Sequence, residues 1–142
     1  AGWGEPCFDS VESAAALLLF AIPAIKGGEF GDGFAAAALR GSAHNDPIAD
    51  ADGRTATNHA GGIAGGITNG NELIVRAAVK PTASIAREQQ TFDFAAGRVA
   101  PLRIRGRHDA CIALRAAVVV EAAMAVALAD FKLRDRCRRA AK

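Results

Sequence analysis

Gly61-Gly62-Ile63-Ala64-Gly65-Gly66-Ile67-Thr68-Asn69-Gly70-Asn71-Glu72-Leu73-Ile74-Val75-Arg76-Ala77 is the stretch whose reading decides the fold. Two apolar runs flank Asn69-Gly70, a pair suited to a type I′ turn because both central residues of that turn need positive φ. The pattern predicts strands over 62–68 and 72–79, joined as a hairpin. Glycines repeated inside the first strand remove side chains where another backbone or a flat ligand comes close. The Gly-Gly pairs do not match G-x-G-x-x-G and no βαβ context surrounds them, which disfavours a Rossmann site. Lys80-Pro81-Thr82 ends the second strand, and Ser84 follows.

Working outward toward the N-terminus, 24–30 alternates weakly and is a candidate strand, and Gly31-Asp32-Gly33 turns the chain into the apolar run 34–39. Periodicity leaves that run open between helix and strand. Before it, Asp9 or Ser10 can cap a helix over 11–21, with Glu12 placed three residues after Asp9 as in a capping box, and Pro23 ends it. The polar stretch 41–58 is rich in turn formers (Asp46-Pro47, Asp50, Asp52-Gly53, Asn58) and reads as an exposed loop. Toward the C-terminus, Arg103-Ile104-Arg105-Gly106-Arg107 alternates, so three guanidinium groups share one face if the stretch is extended. From Ile112 to about Arg138 no Gly or Pro interrupts an alanine-rich run, which predicts a long, largely buried helix. Its basic last turns suit the helix dipole.

At 142 residues the chain has the length of one domain, and an ordinary domain of this size buries roughly 68–70% of its unfolded surface. The apolar residues are mainly alanine, with one Trp and no Tyr, which favours closely packed helices. A net charge of +2 is too small to indicate nucleic-acid binding. Between Arg98 and Arg139, however, stand ten Arg or Lys and four acids, a balance that suits a local anion site. Cys7, Cys111 and Cys137 are widely spaced and odd in number, which indicates neither a disulfide framework nor zinc and fits a reducing compartment. The longest apolar run, 14–23, is short of the roughly 20 residues a membrane span needs, so the chain reads as soluble and non-membrane. The opening Ala-Gly-Trp-Gly-Glu-Pro, without an initiator methionine, suggests that something precedes it.

Three places could carry chemistry. Gly106-Arg107-His108-Asp109, at a strand-to-helix junction, puts a cation, an imidazole and a carboxylate where helix N-terminal N–H groups converge; the alternative is an Asp109 N-cap beside a surface arginine. Lys80 to Ser84 offers an ammonium and two hydroxyls in a turn, either a phosphate cradle or a plain strand exit, without the Gly-Lys-Ser/Thr of a P-loop. His44, His59 and His108 lack metal-ligand spacing, so no metal site is expected and each reads as structural or substrate-facing. Cys111 is assigned a packing role, not a catalytic one.

In identity and order these pieces resemble the chorismate synthase family. The resemblance runs through Gly4-Glu5-Pro6, Ile22-Pro23-Ala24-Ile25-Lys26-Gly27, Glu29-Phe30-Gly31-Asp32-Gly33-Phe34, Gly41-Ser42 with Asn45-Asp46, and Asn58 to Ile67. It continues through Lys80-Pro81-Thr82 and Gly106-Arg107-His108-Asp109 to Glu121-Ala122 and Leu128-Ala129-Asp130. The resemblance implies an α+β fold in which helices are sandwiched between antiparallel sheets. Here that fold is partial, with residues 1–142 as the C-terminal part of a single domain whose N-terminal half is absent.

The implied reaction is the 1,4-elimination of phosphate from 5-enolpyruvylshikimate 3-phosphate to give chorismate, the last step of the shikimate pathway. It requires reduced FMN without net redox change, in a cytoplasmic homotetramer, and the fragment is expected to be inactive alone. Carried over residue by residue, Pro23, Ala24, Gly65, Lys80, Pro81, Thr82, Ala83, Ser84 and Arg107 contact FMN, and Asp109 sits near flavin N5 as a proton acceptor or relay. Ala110 and Val118 stand where the family usually has Pro, which permits the last helix to start earlier. A non-catalytic flavin- or anion-binding module, or a degenerate inactive sequence, is the competing reading. An upstream reading frame carrying the missing signatures distinguishes them.

Overall fold

The computed structural model describes residues 1–107 and 111–140. Helix α1, Val11–Ala21, starts at Ser10, whose hydroxyl oxygen accepts from the Ser13 N–H at 3.0 Å. Ser10 with Ser13, and not Asp9 with Glu12, therefore makes the cap, while Asp9 closes a 3₁₀ turn, Cys7–Asp9. Val11, Ala15 and Leu19 recur every fourth residue and form the buried stripe of α1.

Strand β1, Ile25–Phe30, lies under that stripe. Its glycines matter for packing: a Cβ on Gly28 would stand 2.5 Å from Leu19 Cδ2, so the bare backbone lets Leu19 descend until it is 0% exposed. The close approach foreseen for the glycines is thus made at Gly28 by a helix of the same chain. The run 34–39 resolves as a 3₁₀ helix, Gly33–Ala38, and the polar stretch after it carries one short helix, α2, Gly41–His44.

The hairpin is not where Asn69-Gly70 suggested. Strands β2, Ile63–Ala64, and β3, Ile67–Thr68, pair across Gly65-Gly66, whose φ values of 60° and 86° supply the two left-handed residues that a two-residue loop requires. Asn69-Gly70 instead leads the chain out: the Asn69 N–H returns to Gly62 O at 3.0 Å, and the Asn69 side chain accepts from the Asn71 N–H. Strand β4, Val75–Val79, is thereby free to pair antiparallel with β1, from Ile25 opposite Val79 to Phe30 opposite Val75, with a bulge between Ile25 and Gly27. A further hairpin, β5, Gln89–Asp93, with β6, Arg98–Leu102, was not foreseen. Helix α3, Ala113–Ala140, includes Val118 in its second turn, at a position where proline would interrupt a helix already under way.

The expectation of a largely buried last helix is overturned. Only Ala127 and Phe131 of α3 are buried, with Leu114 88% and Val118 68% exposed. Phe131 joins Val11 and Ile63 in the core, while the first half of α3 stands off the β1–β4 ribbon across an apolar groove of about 600 Å³. The accessible surface is 10203 Å², whereas a self-contained monomer of 14.6 kDa presents about 6,900 Å². The alanine-dense sequence codes for apolar faces, but the residues present do not cover them. The architecture is α+β, antiparallel ribbons with helices on them, and it is partial.

Candidate functional site

The β1–β4 register decides which site residues meet. Because Ile25 lies opposite Val79, the residues just outside the ribbon face one another, and the Lys80 N–H donates to Ala24 O at 2.8 Å. Pro23-Ala24 and the Lys80–Ser84 turn, some 56 residues apart in sequence, thus share one end of the ribbon. The chain arrives there through a turn in which the Ile25 N–H returns to Ile22 O at 3.3 Å, with Pro23 at its second position and Ala24 at its third with φ 74°. That is the type II pattern, whose third position normally takes glycine. An alanine held there stores about 1–2 kcal/mol, a cost that concentrates where function fixes the backbone.

Lys80 brings a positive charge to this end. Lys80, Pro81, Ala83 and Ser84 are exposed and Thr82 half-buried. The β5–β6 hairpin folds the chain back so that Arg103 Nε donates to Ala86 O at 2.9 Å, which ties the start of the 103–107 run to the segment after Ser84. Residues 80–107 contain six Arg or Lys against Glu88 and Asp93. The 103–107 run is not paired as a strand, since β6 ends at Leu102. Arg107 is exposed and lies between β6 and α3. His108, Asp109 and Ala110 lie outside the described residues, and with them the assignment of Asp109. Cys111 is exposed and precedes α3, so the packing role expected for it is not seen.

Gly65 is elsewhere. It sits at the exposed tip of the β2–β3 hairpin, where a Cβ would meet nothing within 4 Å. The other loop residue is pinned to the start of α1, with the Val11 N–H donating to Gly66 O at 2.9 Å. Pro23-Ala24 follows the other end of α1, and 11 helical residues separate the two groups by about 16 Å.

One polar cluster escaped the sequence reading. His59 Nδ1 lies 2.6 Å from Asp32 Oδ2, both side chains about 30% exposed, and the His44 ring is tilted against the His59 ring at 5.5 Å between centroids. A carboxylate only accepts, so Nδ1 carries the proton. Asp46 grips the same segment, its two oxygens accepting from the N–H groups of His59 and Ala60 and from the Thr57 hydroxyl. Burial pushes the Asp46 carboxyl up, but those hydrogen bonds, from Ala60, His59 and Thr57, with the charge of His59 added, outweigh it and hold the group below the ordinary carboxylate range. Among the described residues no three His, Cys, Asp or Glu side chains converge as metal ligands, and no helix is long and apolar enough to cross a membrane.

The chorismate synthase family model matches residues 1–133. The chain is 61% identical over 135 residues to the chorismate synthase of Chitinophaga pinensis, covering 95% of this chain and 41% of that protein. It is 51% identical to that of Archaeoglobus fulgidus, covering 94% and 38%. A crystal structure of chorismate synthase superimposes with a TM-score of 0.72 at 31% identity, covering 94% of this chain and 34% of the other. The chain therefore spans about two fifths of the length of the curated relatives it matches. With sequence and fold in agreement over nearly its whole length, the chain belongs to the chorismate synthase family.

Proposed function

We propose that residues 1–142 are the C-terminal part of a single chorismate synthase domain, and that the whole enzyme converts 5-enolpyruvylshikimate 3-phosphate to chorismate as a cytoplasmic homotetramer using reduced FMN. The observation that carries this reading is the ribbon end, where the Lys80 N–H meets Ala24 O beside a strained turn. Such an end suits a phosphorylated ligand, because Lys80 can neutralise charge while the backbone between Ile22 and Ile25 is fixed in advance.

The residues present fit a flavin. Ala24, Lys80, Pro81, Thr82, Ala83, Ser84 and Arg107 would hold it at the cationic end, with Pro23 setting the turn, and the bare tip at Gly65 admits a flat ring against the backbone. When bound, reduced FMN supplies transient electron density to an elimination that has no net redox change. This chain's part is to bind and orient through those residues, and, at Asp109, to accept or relay a proton.

The exposed apolar groove and the surplus surface support the partial-domain reading, since a chain that left them open would be marginal. The test is anaerobic conversion of 5-enolpyruvylshikimate 3-phosphate by the chain with reduced FMN, alone and with a purified N-terminal half of a related enzyme. Activity only after complementation is expected. No activity in either case, with no FMN binding, refutes the reading and leaves a chain without this chemistry.

A further inference from the structure

We infer that Asp32 and His59 form a positioning pair that sets the glycine hairpin for its ligand. They sit 27 residues apart, in a segment after β1 and in the approach to β2, and join by two bonds: the 2.6 Å side-chain pair and a backbone bond from the Asp32 N–H to His59 O at 2.8 Å. Between them Gly31 and Gly61 lie with bare backbones in contact, at φ 56° and 64°, too close for a Cβ on either. From this fixed point the chain has only Gly62, Ile63 and Ala64 to cross before Gly65. Asn58 continues the brace, its carbonyl and side-chain oxygens accepting from the N–H groups of Gly61 at 3.1 Å and Gly62 at 2.8 Å.

The pair has a reason to act on orientation and not merely on stability. The segment 58–62 contains two glycines in left-handed conformations, Gly61 and Gly62, which by themselves have the widest conformational choice of any residue. Side-chain bonds from Asp32, Asp46 and Asn58 remove that choice. A hairpin tip that must meet a flat ring is thus aimed from a built base, and ordering is completed before binding. This inference rests on the reading that Gly65 contacts flavin.

The test follows two quantities in the 142-residue chain and its variants: amide hydrogen exchange at Gly61 and Gly62, and quenching of oxidised FMN fluorescence on titration. His59→Ala and Asp32→Ala are each expected to raise exchange at Gly61 and Gly62 and to weaken FMN binding by about tenfold, the scale of one lost charge-assisted hydrogen bond. His59→Asn restores a donor at the place of Nδ1, so it should recover binding to within about twofold of the unaltered chain. Exchange at Ala78, whose N–H faces β1 in the β1–β4 ribbon, unchanged in all three, shows that each variant folds. If His59→Ala leaves exchange at Gly61 and Gly62 unchanged, or FMN binds the variants as it binds the parent, the positioning role is overturned while the flavin reading stands. If the unaltered chain binds no FMN either alone or complemented with the N-terminal half, the flavin reading falls and takes the inference with it.

Discussion

Gly31→Ala isolates how much of the fold depends on one backbone-to-backbone approach. An added Cβ would stand 2.6 Å from Gly61 N and 2.7 Å from Ala60 C and would collide with His59 O. None of those atoms can retreat freely, because Asp46 holds the N–H groups of His59 and Ala60. The φ of 56° costs an alanine about 1–2 kcal/mol, and the displacement breaks the Asp32–His59 bonds, worth about 2 kcal/mol more. The sum is about 3–4 kcal/mol, against total stabilities of about 5–15 kcal/mol for ordinary domains. Gly65→Ala is the matched control: its φ is 60°, yet the new carbon enters open space, so only the conformational cost of about 1–2 kcal/mol applies. Urea unfolding followed by the fluorescence of Trp3, the single tryptophan and half-buried beside the core, measures both. Equal losses for the two variants would refute the steric argument.

Ala24→Gly relieves the left-handed alanine and should stabilise the chain by about 1 kcal/mol in the same urea assay, with a loss showing that the turn is not strained. The depressed Asp46 carboxyl contributes stability that is fully present above its unfolded pKa of about 3.9 and is lost as pH falls through its lower folded value. Asp46→Asn should therefore cost stability at neutral pH, with the gap to the parent closing below about pH 4, and a pH-independent gap would remove the carboxylate from the account. In the complemented enzyme, Arg107→Ala should weaken ligand affinity about tenfold or more, the range of a charge-assisted contact, and Asp109→Asn should lower turnover far more than FMN binding. Binding titrations and single-turnover rates separate those effects, and equal loss of both for Asp109→Asn makes that residue structural.

What the sequence disclosed was local. The start and end of α1 are written in Ser10 and Pro23, and the length of α3 in the missing Gly and Pro, because caps and breakers act on adjacent backbone. The burial of α3 was misread, since alanine density records that a face is apolar but not whether anything lies on it. The hairpin was placed four residues late: Asn69-Gly70 is a good turn pair, but Gly65-Gly66 met the same backbone requirement first. The β5–β6 hairpin had a signal in Asp93 and Gly97, for the Asp93 side chain accepts from the Ala95 and Ala96 N–H groups and Gly97 takes φ 65°. The meeting of Ala24 with Lys80, and of Asp32 with His59, depends on the pairing of distant segments, which no local pattern encodes.

The β1–β4 pairing also sets an order of events. Phe30 and Val75 are partners across a loop of 44 intervening residues, so the ribbon forms only after that loop closes, whereas α1 and β1 meet across a three-residue connection. Closure entropy grows only logarithmically with loop length, about 0.6 kcal/mol for each doubling, yet it must be met before any ribbon contact rewards it. The α1–β1 unit therefore leads and β4 docks late. Insertions in the exposed turn at 50–52 should slow refolding slightly while leaving the unfolding rate nearly untouched, a partition that stopped-flow kinetics can read.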